Sequence, residues 1–213
     1  MASMNMASMK IALLGANGRT GREILTRSLN AGHTVTAIVR TEDKLADIQH
    51  PQLRVCAGNV CDANTLKTLL PGHDVVISTL GPRTPTKAAC AIYSESARAI
   101  VEAMEHSGVN RVLVISTALL FPSNRLSHRV LRWIARHNVR NADLMEASLR
   151  ASTLEWTIVR VGFLNNNSSE DFQSSVEAFP DKGSSIARAA VADFLLTEAR
   201  ECHHLQKVVG LWG

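Results

Sequence analysis

Apolar residues fall in short, nearly unbroken runs along this chain: Lys10–Leu14, Thr34–Val39, Leu53–Ala57, Asp74–Leu80, Arg111–Ser116 and Trp156–Val161. Runs such as VVISTL and RVLVIS do not alternate with polar residues, which marks strands covered by helices on both faces and predicts a parallel sheet. Between them, helical spacing predicts helices over Gly21–Asn30, Asp62–Leu70, Lys87–Ser107 and Arg125–Ser152, the last broken near His137 to Arg140. Two helix exits, NAGH (30–33) and HSGV (106–109), carry stop glycines followed at once by the next strand. Strand and helix therefore alternate as βαβ units, and right-handed crossovers build them into a doubly wound sheet. Its ligand crevice lies at the carboxyl ends of the strands.

After Gly162 the pattern changes. NNNSSEDFQSSVEAFPDKGSS (165–185) is polar and turn-rich, IARAAVADFLLTEAREC returns to helical spacing, and KVVGLW closes as a short strand. The polar stretch is expected to pass over the crevice. The MASM unit recurs at Met1–Met4 and Met6–Met9, so residues 1–8 read as an extension added for expression rather than a signal peptide.

The 213 residues suffice for one α/β domain and are too few for two of ordinary size. No apolar run approaches the roughly 20 residues that cross a bilayer, and Cys56, Cys61, Cys90 and Cys202 lack zinc or C-x-x-C spacing. A cytoplasmic protein with free thiols is the expectation. The net charge of +4 favours anionic partners without choosing among a nucleotide, a nucleic acid and a lipid surface.

Chemistry enters at GANGRTG (15–21), where the first strand turns into the first helix. Gly15 allows the turn, Gly18 a close approach of backbone to ligand, and Gly21 tight packing of helix on strand, while the helix amino end supplies positive potential for a pyrophosphate. No Gly-Lys-Ser/Thr follows, which excludes a P-loop. At the end of the second strand an NAD-preferring site would place an acid for the ribose 2′-hydroxyl; here stands VRTEDK, with Arg40 and then Lys44. A cation there selects NADP(H), although Glu42 or Asp43 can also reach a hydroxyl. Farther on, Asn59 and Val60 end the third strand at the adenine edge, and STLGPR (78–83) ends the fourth.

The blocks ALLGANGRTGREIL, VTAIVR, GNVCD, VISTLGPR, GVNRVLVIST, LEWTIVRVGFL and IARAAVADFLL together resemble the NAD(P)H-binding atypical short-chain dehydrogenases, on the biliverdin IXβ reductase and flavin reductase branch with its NmrA-like relatives. The resemblance runs from Met9 to Gly213. It implies one Rossmann-like NAD(P)-binding domain over 9–213 with a substrate-side excursion around 163–187. It further implies that Gly15, Asn17, Gly18, Arg19 and Thr20 hold phosphates, that Arg40 holds the 2′-phosphate and that Asn59 and Val60 meet adenine. Leu80, Gly81 and Arg83 would line the cofactor's central groove.

Typical short-chain dehydrogenases protonate an alkoxide with the Tyr of a Tyr-x-x-x-Lys pair. The only tyrosine here, Tyr93, is followed four positions later by Ala97. Carbonyl reduction of the usual kind thus lacks its acid, whereas hydride transfer to a flavin (FMN or FAD) or a linear tetrapyrrole spreads charge over a conjugated system and mainly needs two rings aligned. Ser116 and Thr117, ending the fifth strand, are the candidates to orient nicotinamide and substrate, or else bond only to their own backbone. Phe163 stands where the tetrapyrrole reductases carry a histidine in a proline-rich turn; it can stack on a planar acceptor but cannot relay a proton.

In NRLSHRVLRWIARHNVR, Arg125, Arg129, Arg132, Arg136 and Arg140 recur at steps of three or four and share a face if the helix is continuous, with Leu126, Val130, Trp133 and Ile134 largely inward. Such a face is a solvated surface, a substrate mouth to which Arg129 and Arg132 draw anionic groups, or a membrane-surface patch; without a DNA-binding motif it does not indicate nucleic acid. The reading is a monomeric NADPH-dependent reductase of a planar conjugated acceptor, the alternative a catalytically silent NADP sensor of NmrA-like type.

Overall fold

A computed structural model of the chain describes residues 8–178 and 185–213; the expected extension, apart from Ser8, and positions 179–184 of the expected excursion lie outside the described residues. The elements run β1 (Lys10–Leu14), α1 (Arg19–Asn30), β2 (Thr34–Val39), β3 (Leu53–Ala57), α2 (Ala63–Leu69), β4 (Val75–Ser78), α3 (Lys87–Ser107), β5 (Arg111–Thr117), α4 (Leu126–Ile134) and α5 (Arg136–Arg150). They continue with β6 (Glu155–Val161), β7 (Phe163–Asn165), β8 (Gln173–Val176), β9 (Ser185–Ala187), α6 (Arg188–Glu201) and β10 (Lys207–Trp212). The main sheet has the order β3-β2-β1-β4-β5-β6-β10-β8. This is a single-domain, Rossmann-like α/β fold.

The unbroken apolar runs have a direct explanation. In β1, Ile11 and Leu13 pack with Ile24, Leu25 and Leu29 of α1 and with Val191 and Leu195 of α6. Their neighbours Ala12 and Leu14 pack on the other face, with Leu66 of α2, Ile100 and Met104 of α3, and Met145 and Leu149 of α5. Both faces of the strand are thus dry, and period-two alternation has nothing to mark. The two expected stop glycines, Gly32 and Gly108, take left-handed backbone at φ 79° and 73°.

Two expectations need correcting. The sheet is parallel except at its edge, where β8, formed from part of the polar stretch, pairs antiparallel with β10. β8 follows β6 with only β7 and loop between them and no helix to carry the chain back to the starting end, so it runs opposite to β6 and hence to β10, which is parallel to β6. The second correction concerns the arginine-rich segment, which breaks at Ala135 (φ −89°, ψ 20°) rather than near 137–140, so the five arginines do not share one continuous helix. Moreover, Leu126, Val130, Trp133 and Ile134 are not inward but 73%, 51%, 69% and 57% exposed. The packing site on this face of the sheet is already filled by α5, through Val139, Ala142, Met145 and Leu149; α4 is left beyond it with no buried residue.

Candidate functional site

Strand register sets the site's geometry. Leu14 pairs with Ile38 of β2 on one side and Ser78 of β4 on the other, and Ser78 pairs with Val114 of β5. The residues that follow, Gly15, Arg40, Thr79 and Thr117, accordingly lie along one carboxyl-end ledge. With strands about 4.8 Å apart, Arg40 stands one strand from the glycine turn and Thr117 two strands away on the opposite side. Strand order reverses between β1 and β4, which puts a topological switch point beneath the turn.

The turn is built for backbone contact. Gly15 has φ 84°, and a Cβ there would lie 2.7 Å from Thr79 Oγ1. Thr79 in turn donates from its backbone to Leu14 O at 3.0 Å, and its hydroxyl lies 3.2 Å from both the Leu14 and Gly15 carbonyls. Gly18 N donates to Gly15 O at 2.9 Å and closes the loop. At Gly21 a Cβ would sit 2.1 Å from Gly15 O, so any side chain would push α1 off the turn. Gly18 caps α1 without a side-chain acceptor, and the first turn holds no acid. The leading amides at Arg19, Thr20 and Gly21 thus form an uncapped donor set at the positive end of a helix dipole, which fits a dinucleotide pyrophosphate. Asn17 is half-buried within the turn and Arg19 is exposed beside it.

On the β2–β3 side, Arg40 is exposed, and its guanidinium makes no hydrogen bond or ion pair among the described residues. Its charge reaches Cys61, whose thiol is nonetheless pushed up, chiefly by burial. Glu42 accepts from Ala57 N at 3.2 Å and is thereby engaged at the end of β3. The Asn59 side chain accepts from Cys61 N at 3.1 Å, and Val60 is buried against the core, so only its backbone edge borders the ledge.

On the β4–β6 side, Leu80 is half-buried and packed on the core, while Gly81 and Arg83 are exposed. Tyr93, on α3, lies below Gly81: its hydroxyl is 3.3 Å from where a Gly81 Cβ would be. Burial pushes its phenol up to about 12, the opposite of what a proton donor near neutrality needs. Thr117 is half-exposed at the end of β5; its Oγ1 accepts from Leu119 N at 3.3 Å, and its own O–H makes no hydrogen bond among the described residues. Ser116 is not on the surface of the ledge. It is buried, and its hydroxyl donates to Glu146 Oε1 at 2.6 Å.

Phe163, 65% exposed, follows β6 at the ledge's far end. Arg132 Nη1 donates to Leu119 O at 3.0 Å, tying α4 to the turn after Thr117, and Arg129 is exposed.

Sequence reasoning missed two groups. Arg160 of β6 binds Glu146 of α5 bidentately, Nε to Oε1 at 2.9 Å and Nη2 to Oε2 at 2.7 Å, and lies 4.6 Å over the Phe121 ring. Its signal was present: an arginine inside the apolar run WTIVRV must find a buried partner. The other is Arg188, heading α6, which donates to Asn166 Oδ1 at 2.6 Å. Burial, and then the charge of Arg19, hold its guanidinium below the usual value. Two cations thus converge near the amino end of α1, where an anion would relieve their repulsion.

A cradle of helix amides at the switch point of a doubly wound sheet defines a Rossmann-type dinucleotide-binding protein. The chain belongs to the NAD(P)H-binding family, whose profile matches residues 15–201. It is similar to the UPF0659 protein YMR090W of Saccharomyces cerevisiae, at 27% identity over 90% of this chain and 87% of that one. Three further curated relatives, two Ycf39 photosystem II assembly factors and YwnB of Bacillus subtilis, match over 109 to 151 residues, and the chain spans about half of their length or less (33% to 48%). Among solved structures, a short-chain dehydrogenase/reductase from Veillonella parvula in complex with NADP superposes at TM-score 0.78, 19% identity, 97% of this chain and 95% of that one. SP1627 of Streptococcus pneumoniae, a candidate NADH-flavin reductase, does so at TM-score 0.75, 24% identity, 96% and 99%. At these identities the solved structures establish the fold.

Proposed function

We propose that this protein is an NADPH-dependent reductase that delivers hydride to a flavin, a linear tetrapyrrole or a similar planar conjugated acceptor. The observation that carries the reading is the uncapped amide set of Arg19, Thr20 and Gly21 with the unpaired Arg40 guanidinium one strand away. The amides and Arg19 hold the pyrophosphate, Arg40 accepts the 2′-phosphate, and Asn59 and the Val60 backbone border adenine. Leu80, Gly81 and Arg83 line the middle of the groove.

NADPH supplies the hydride. The chain's own part is to align and shield. The Thr117 hydroxyl keeps a proton to donate to a carboxamide or acceptor oxygen, held in place by Leu119 N. Ser116, occupied by Glu146, positions the strand end from below. Phe163 offers a face for stacking, and Arg129 and Arg132 attract acidic groups on the acceptor. With Tyr93 buried and its phenol pushed up, that tyrosine is not tuned to protonate an alkoxide; in this reading the proton comes from water and the acceptor delocalises charge.

The test is to follow NADPH oxidation by the purified chain with FMN, FAD, a quinone and biliverdin isomers. Saturable turnover with one of these is the expected result. Tight NADP binding with no turnover of any of them would identify a sensor instead.

A further inference from the structure

Helix α4 is amphipathic in the reverse sense for a soluble protein. At 3.6 residues per turn, Leu126, Val130, Trp133 and Ile134 fall in one stripe about 100° wide. That stripe points away from the body, with exposures of 73%, 51%, 69% and 57%. The side turned towards the body carries His128, Leu131 and Arg132, each half-buried, and Arg132 is fixed there by its bond to Leu119 O. A contiguous patch of four large apolar side chains on one short helix marks an interaction surface rather than scattered surface hydrophobics.

Charge selects the occupant. Residues 122–142 include five arginines and two histidines and no Asp or Glu. Arg129 and Arg140 are exposed, and the Arg136 guanidinium lies 5.5 Å from the Trp133 ring, at the edge of the stripe. A second copy of the chain is a poor match, because a two-fold contact would set each arginine row against its own image. A bilayer with anionic headgroups meets both demands at one depth: the stripe enters the acyl boundary, tryptophan sits at headgroup level, and guanidiniums reach lipid phosphates.

We infer that α4 lies flat on the surface of an anionic bilayer, with Leu126, Val130, Trp133 and Ile134 in the headgroup–acyl boundary and Arg136 on lipid phosphates. This docking is independent of the redox reading, and no membrane-spanning segment is involved: among the described residues no helix is long and apolar enough to cross a membrane.

The test is flotation of the full chain with vesicles of phosphatidylcholine alone and of phosphatidylcholine mixed with phosphatidylglycerol. The wild type is expected to float with the mixed vesicles only, and to be released by high salt. The double variant Trp133→Ser, Ile134→Ser should lower partitioning by roughly tenfold or more while melting at the wild-type temperature, since both side chains face solvent. Arg136→Glu should act in the same direction. Absence of flotation, or equal flotation with neutral vesicles, would overturn the inference. So would competition by soluble polyglutamate that displaces the protein as effectively as added vesicles, or a dimer in sedimentation that the double variant disperses.

Discussion

Ser116 Oγ donates to Glu146 Oε1 at 2.6 Å, with both residues 2% exposed, so the buried end of β5 hangs on a carboxylate carried by α5. The same carboxylate takes both donors of Arg160 and one from Arg150 at 3.0 Å. Removing its charge strands the Arg160 guanidinium in the interior. Glu146→Gln is therefore expected to cost about 3 kcal/mol or more, a fall in melting temperature of about 6 to 12 °C for a chain of this size. Thermal denaturation checks it, and a melt unchanged from wild type would show that the network is dispensable.

Gly21→Ala tests the cradle itself. The added carbon would overlap Gly15 O, and the only relief is to shift α1 away from the turn. Dinucleotide affinity should fall to the limit of detection by calorimetry, with a loss of stability of about 1 to 3 kcal/mol from overpacking. Retained wild-type affinity would mean that the amides at Arg19 to Gly21 are not the phosphate contact.

Cofactor choice rests on Arg40. Replacing it with alanine should weaken NADPH by about 1 to 3 kcal/mol, as for a lost charged hydrogen bond, while NADH binding changes little. An equal loss for both forms would remove the 2′-phosphate assignment.

His33 gives the fold a pH dependence. It is buried, its Nδ1 accepts from Met9 N at 3.2 Å, and burial, followed by the charge of Arg200, holds the imidazole below its ordinary value. The unfolded chain therefore takes up the proton first. Stability is complete above about pH 6.5 and is lost as pH falls from there towards the lowered folded value. His33→Asn, which keeps an acceptor for Met9 N, should flatten the decline in melting temperature below about pH 6.5. His128, lowered by burial and by Arg132, acts in the same sense, so the slope is reduced and not abolished.

Much of the scaffold was legible in the sequence. β1, β2, β3 and α3 occupy the predicted spans, because each is bounded by turn residues and its apolar pattern has one interpretation. A break in 125–152 was anticipated, but past its true place at Ala135, and the orientation of the first half was not anticipated. Helical periodicity in RLSHRVLRWI shows that an apolar stripe exists and says nothing about whether another helix already occupies the sheet. In the site, the glycine turn and Arg40 could be placed because each follows a strand directly. The engagement of Ser116 could not, since Glu146 lies 30 positions later.

By itself, the chain's order of residues determined the βαβ alternation, the glycine turn at the head of α1 and the cation after β2, because these depend on backbone sterics and on neighbours a few positions apart. Tertiary structure alone decided that α5 and not α4 covers the sheet, that β8 returns antiparallel to close its edge, and that Arg160, Glu146 and Ser116 meet beneath the ledge. Those outcomes come from distant segments competing for the same surface and from buried charge seeking its complement, and neither leaves a periodic trace along the chain.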